Sequence, residues 1–128
     1  MTISLMRPNN EASLQAQTTS IATTPVAGQC VVTNAGYISR VMAAAAGTTT
    51  GTITVTVGIN NGSDITSAGL LIAPASNARA GSSIEFTLPG AGSTSGIFVN
   101  EGDVIVFTPS GGTGSSIGGA FGAVVRCL

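Results

Sequence analysis

Residues 51–62 read GTITVTVGINNG. Ile53, Val55, Val57 and Ile59 fall on one side of an extended chain and Thr52, Thr54 and Thr56 on the other, because successive side chains of a strand point to opposite faces. The stretch then stops at Asn-Asn-Gly, residue types that accept the left-handed backbone of a tight hairpin turn. It reads as a half-buried strand that turns back on itself, and it carries no charge. Threonine on its second side, where Lys or Glu is usual, has a physical meaning. Its branched β-carbon suits a strand, and a methyl beside a hydroxyl can meet water or another subunit without stranding a buried charge.

The same lack of charge runs through the whole chain. Charged residues are 7% of the 128, and the net charge is −1, against roughly a quarter charged in ordinary soluble domains. A near-neutral surface repels its neighbours weakly, which favours a protein whose working state is an assembly. The cations are four arginines (Arg7, Arg40, Arg79 and Arg126), scattered along the chain, with no lysine. They cannot supply the one-sided basic footprint that displaces counterions from phosphates, so no nucleic-acid partner is expected. No apolar run approaches the roughly 20 residues that cross a bilayer, and the first residues lack a cationic segment followed by an apolar one. Neither a membrane partner nor an export signal is expected.

Short apolar segments recur between turn-forming clusters at the spacing of a β-sandwich. Candidate strands lie at 20–25, 29–33, 37–46, 52–59, 67–73, 82–88, 96–99, 103–109 and 119–127, separated by stretches such as NNGSD, PASNARAG, PGAGSTSG, NEGD and PSGGTGSS. In DVIVFT (103–108), Val104 and Val106 share one face and Ile105 and Phe107 the other. Both faces are apolar, so this strand is expected to be covered on both sides. RVMAAAAG is the one helical temptation, since alanine is the best helix former. It is too short to stand alone and lies between β-like segments, so a strand with small side chains is the preferred reading and a helix the alternative. Residues 1–19 are polar, with Ile3, Leu5, Met6 and Leu14 as isolated apolar points and Pro8 interrupting. They read as an extended N-terminal arm, leaving 20–128 as a single all-β domain.

The absent residue types exclude much chemistry. Without histidine there is no Ser-His-Asp or Cys-His nucleophile and no usual zinc ligand set. Without lysine there is no Schiff base, and SGGTGSS (110–116) is no phosphate loop. A carboxylate pair drawn from Glu85, Glu101 and Asp103 has the residue types of a glycosidase, but the chain has no Trp and one Tyr to line a sugar cleft. NEGD reads more simply as a turn opening a strand. NNGSD offers alternating oxygens but lacks the repeated aspartates and distal glutamate of a calcium loop, and a hairpin turn is favoured. No catalytic, metal or cofactor site is expected. A bond between Cys30 and Cys127 would close nearly the whole domain; free thiols are preferred, since nothing else suggests an oxidising compartment. Arg126, alternating with Val125 and Cys127, is a candidate ion-pair partner at a subunit interface, solvent being the plain alternative.

GYISRVMAAA (36–45), TITVTVGINNG (52–62), VNEGDVIVFTPSGGTG (99–114) and the closing FGAVVRCL (121–128) together resemble the small head-decoration, or cement, proteins of tailed bacteriophages. The resemblance covers roughly residues 25–128. It implies a single jelly-roll or Greek-key β-sandwich with no active site, forming a homotrimer on the outer capsid surface of a virion assembled in the host cytoplasm. The major capsid protein would then be its partner. In that setting the arm would contact the capsid through Ile3, Leu5, Met6, Arg7 and Leu14, while Thr52, Thr54, Thr56 and Arg126 are the candidate subunit-interface residues. The alternative from a different class is a receptor-binding or adhesin head, for example of a tail fibre, which low charge and Gly/Ser/Thr richness suit equally.

Overall fold

A computed structural model describes residues 10–73, 81–89, 96–114 and 116–127. Among these are nine strands and no helix: β1 (Glu11–Thr18), β2 (Gly28–Val31), β3 (Gly36–Ala45), β4 (Ile53–Ile59), β5 (Leu70–Ile72), β6 (Gly81–Glu85), β7 (Phe98–Val99), β8 (Val104–Ser110) and β9 (Gly119–Cys127). One sheet has the order β1-β9-β3-β6, with the short β7 also on β3, and the other has the order β2-β8-β4-β5. Every pairing is antiparallel. Strands β1 and β9, β2 and β8, β3 and β6, and β4 and β5 are all ladder partners. These are the rungs of one long hairpin, bent at the β4–β5 connection and wound into two facing sheets, which is the jelly-roll topology.

The period-two reading locates the core. Ile53, Val55 and Val57 of β4 are fully buried, as are Ile105 and Phe107 of β8 and Ile38 and Val41 of β3. Phe107 from one sheet and Phe121 of β9 from the other stack across the interior, ring centroids 5.0 Å apart and planes 2° from parallel, within the usual aromatic contact range. Gly28 makes room for that stack: a Cβ there would stand 2.7 Å from the Phe121 ring. The alanine run 43–46 does not form a helix. Ala43 and Ala45 point into the core from β3, where small side chains leave space for Phe121, opposite Ala43 in the ladder.

Three expectations change. Residues 11–18 are not arm but β1, laddered along its whole length on β9 from Glu11 opposite Arg126 to Thr18 opposite Gly119. Their pattern is polar by composition yet alternates, so Leu14 and Ala16 are buried while Ser13, Gln15 and Gln17 face out. Leu14 is thus a core residue and is withdrawn as a capsid contact. Second, residues 20–25 are not a strand but the corner that carries the chain from one sheet to the other. Ile21 and Ala22 are buried, but Thr23 and Thr24 take positive φ, and the Ser20 hydroxyl donates to the carbonyls of Ala22 and Thr23. A side chain bonding its own backbone in this way competes with a ladder. Third, β8 is covered on one side only within a single copy: Ile105 and Phe107 are buried, while Val104 and Val106 lie half-exposed on the outer face.

Candidate functional site

The outer face of the β2-β8-β4-β5 sheet is assembled from four registers. Leu71, Thr54 and Ser110 form one row, Thr56 and Thr108 the next, Gly58, Val106 and Gln29 a third, and Val104 with Val31 a fourth. None of these side chains is charged. Val31 is 57% exposed and Leu71 54%, so apolar surface stands open at opposite edges of the sheet with hydroxyls between. Isolated exposed apolar residues are ordinary; a whole sheet face of Thr, Ser, Val and Leu without a charge is not. Thr54 and Thr56 lie centrally on it, and Thr52 is exposed just before β4 begins.

Arg126 is elsewhere. It lies on the outer face of the opposite sheet, where its Nε stands 3.6 Å from Glu11 Oε2. The threonines and Arg126 therefore belong to two surfaces of one copy. Arg40 and Glu85 are ladder neighbours on that same face, so four of the charges gather at one end of the β1-β9-β3-β6 sheet. The exposed Phe98 packs edge-on against Tyr37 there, with centroids 5.2 Å apart. Further along, Gln15, Gln17, Met42, Ala44, Ala120, Gly122 and Ser83 line an open groove of about 550 Å³. Ile3, Leu5, Met6 and Arg7 lie outside the described residues.

Two of the carboxylates read as catalytic or calcium candidates, Asp64 and Asp103, have structural partners. Asn60 and Asn61 take φ of 53° and 63°, and the Gly62 amide donates to the Ile59 carbonyl at 2.9 Å, as a tight hairpin turn requires. Asp64 Oδ1 then accepts from the Val57 amide at 3.0 Å, the Thr66 amide at 3.0 Å and the Thr66 hydroxyl at 2.7 Å. Burial pushes its pKa up, but those three donors outweigh it and hold the carboxyl below its ordinary range. Asp103 accepts from the Asn100 amide at 2.8 Å and the Asn60 side-chain amide at 3.0 Å. These bonds hold it low as well. Asn60 completes the clasp by accepting from the Val104 amide at 2.9 Å. Glu101 sits in the turn that the Asp103 amide closes on the Asn100 carbonyl. Glu85 is on the other sheet, so the three carboxylates do not form one cleft. Among the described residues no three His, Cys, Asp or Glu side chains gather to hold a metal. Cys30 and Cys127 are free, and burial pushes the Cys30 thiol up.

The two lowered carboxyls fix the sign of the pH response. A group whose folded pKa is depressed adds stability above its unfolded pKa of about 4, and that stability is lost as pH falls through the folded value. With no histidine in the chain, the unfolding midpoint should be flat between about pH 5 and 8 and fall below about pH 4. Asp64→Ala should cost about 1–3 kcal/mol, because the amide of buried Val57 loses its acceptor, and it should flatten the acid limb of a denaturation series. An unchanged acid limb would show that Asp64 contributes nothing to it. Comparison with family models, curated proteins and solved structures returned no match.

Proposed function

We propose that this chain is a structural virion protein that binds the outer surface of a phage capsid as a homotrimer and cements neighbouring capsomers. The observation that carries this reading is the uncharged outer face of the β2-β8-β4-β5 sheet. Its central strand β8 presents Val104 and Val106 outward, a pattern that makes sense when a second surface covers it. Thr54 and Thr56 lie beside it and can exchange water for protein neighbours at little desolvation cost. A protein that binds only the assembled shell stabilises that shell by mass action, with no chemistry required. Ile3, Leu5, Met6 and Arg7, ahead of β1, are the proposed capsid contacts. They would extend the surface a small domain can cover.

The test is to compare shells carrying the protein with shells stripped of it. Decorated shells should tolerate more heat, and light scattering of the free protein should give three copies or a multiple of three. Thr54→Lys and Thr56→Lys should each weaken shell binding at least about tenfold, since a lysine there must be desolvated. As outer-face changes they should leave the fold within about 0.5 kcal/mol of wild type. Equal heat tolerance with and without the protein, or full binding by both lysine variants, would overturn the reading.

The groove on the other sheet favours a second reading, a receptor-binding head. Its size is within the range of ligand clefts, roughly 300–1,000 Å³, and Gln15, Gln17 and Ser83 set polar groups around a small-residue floor. Binding on a glycan array that is lost in Ala120→Trp, which fills the floor, would favour this reading over cementing.

A further inference from the structure

β1 is an edge strand among the described residues. Strand β9 lies on one side of it, and among the described residues no strand pairs with the other. The direction of its backbone groups follows from the ladder. The Asn10 carbonyl accepts from the Cys127 amide at 2.6 Å, and Asn10 stands one position before the Glu11–Arg126 pair. In an antiparallel ladder, hydrogen-bonded and non-bonded pairs alternate. Asn10, Ala12, Leu14, Ala16 and Thr18 therefore turn their amides and carbonyls toward β9, and Glu11, Ser13, Gln15 and Gln17 turn theirs away. At the far end the Gln17 carbonyl is 3.2 Å from where a Cβ on Gly28 would stand, so β2 closes the edge there. The open part is Glu11 to Gln15.

Natural sheets blunt such edges with Lys, Pro, a bulge or a very short strand. β1 has no Lys, Pro or bulge and a single charge, Glu11: its eight residues, EASLQAQT, run in unbroken register. The other outer strands, β2, β5, β6 and β7, have four, three, five and two residues.

We propose that this edge pairs with the same edge of a second copy, antiparallel about a two-fold axis through Ser13. That register sets Ser13 opposite Ser13, Glu11 opposite Gln15 and Ala12 opposite Leu14. Each requirement of a continuous sheet is then met. The residues with free amides and carbonyls face one another, outer-face residues meet outer-face residues, and inner meet inner. Small Ser13 sits on the axis, and Glu11 meets an amide in place of a second carboxylate. A register centred on Gln15 would need the Gln17 edge that Gly28 obstructs. The contact is isologous, joining copies two by two, so it links trimers to one another and does not itself build a threefold ring. It stands whether or not the capsid reading does.

Sedimentation velocity on the full chain over a range of concentrations tests it. Wild type should form even-numbered species, either dimers or pairs of trimers. Ser13→Pro removes an amide that faces away from β9, a position where an edge strand tolerates proline. It should weaken the pairing at least about tenfold while circular dichroism and the thermal midpoint stay near wild type. Ser13→Lys and Ser13→Glu keep the amide and should each abolish self-pairing by setting like charges on the axis, whereas an equimolar mixture of the two should pair again. The mixture keeps the test decisive if the proline variant fails to fold. A wild type that stays unpaired, pairing that persists in Ser13→Pro, or a Lys/Glu mixture that does not re-associate would overturn the proposal. A trimer with no even-numbered species would overturn it too, while leaving the capsid reading intact.

Discussion

Phe107→Ala should lower the unfolding free energy by about 3–5 kcal/mol in chemical denaturation, with the midpoint shifted and the slope retained. Phe107 is fully buried and is the largest such side chain among the described residues. It stacks on Phe121 at 5.0 Å, so the two rings join one sheet to the other. Truncation leaves a ring-sized void, and Gly28 beneath Phe121 offers no side chain to collapse into it. Phe107→Leu, which keeps most of the volume, should cost much less. A loss under about 1 kcal/mol for the alanine variant would mean that the two sheets are not held together at this stack.

Removing residues 1–18 should abolish cooperative folding, while removing residues 1–9 leaves all of β1 in place and should preserve it. The arm reading of 1–19 predicts that both truncated chains fold, so the pair of measurements separates the two. Without β1 the core loses Leu14 and Ala16, and β9 becomes an edge strand whose inward Phe121, Ala123 and Val125 lose their cover on one side. The loss is comparable with the whole stability of a small domain, about 5–15 kcal/mol. Thermal scans that stay cooperative after removal of 1–18 would show β1 to be dispensable.

Much of the fold was legible because the apolar residues keep period two where the strands are. GTITVTVGINNG shows a buried side, an open side and a turn, and all three are present in β4 and Asn60–Gly62. β1 escaped because its polarity was weighed ahead of its alternation: Leu14 and Ala16 are two apolar residues among glutamines, and an edge strand needs no more. Residues 20–25 misled in the opposite way. Ile21 and Ala22 are apolar because they plug a corner, and only positive φ at Thr23 and Thr24, invisible in residue type, shows that the chain is not extended there.

The candidate surface was less legible than the fold. Alternation tells which residues share a face of one strand, but not which strands share a sheet. Arg126 and the β4 threonines share no face of one copy, because the winding puts them on opposite sheets. The two-sided apolar pattern of β8 reports residue chemistry, not burial: within one copy Ile105 and Phe107 are buried, and Val104 and Val106 are half-exposed.

The ladder of β1 on β9 also constrains how the protein is made. Glu11 pairs with Arg126, so β1 leaves a ribosome long before β9 and cannot be seated until β9 has followed it. A chain whose closing step joins segments so distant in sequence folds slowly, since the loop must be closed before the contacts form. During that interval β4 and β8 are apolar on at least one side and have few charges nearby to discourage wrong pairing. Synthesis in quantity should therefore demand chaperone capacity, or a partner surface present early, and refolding yield should fall steeply with protein concentration.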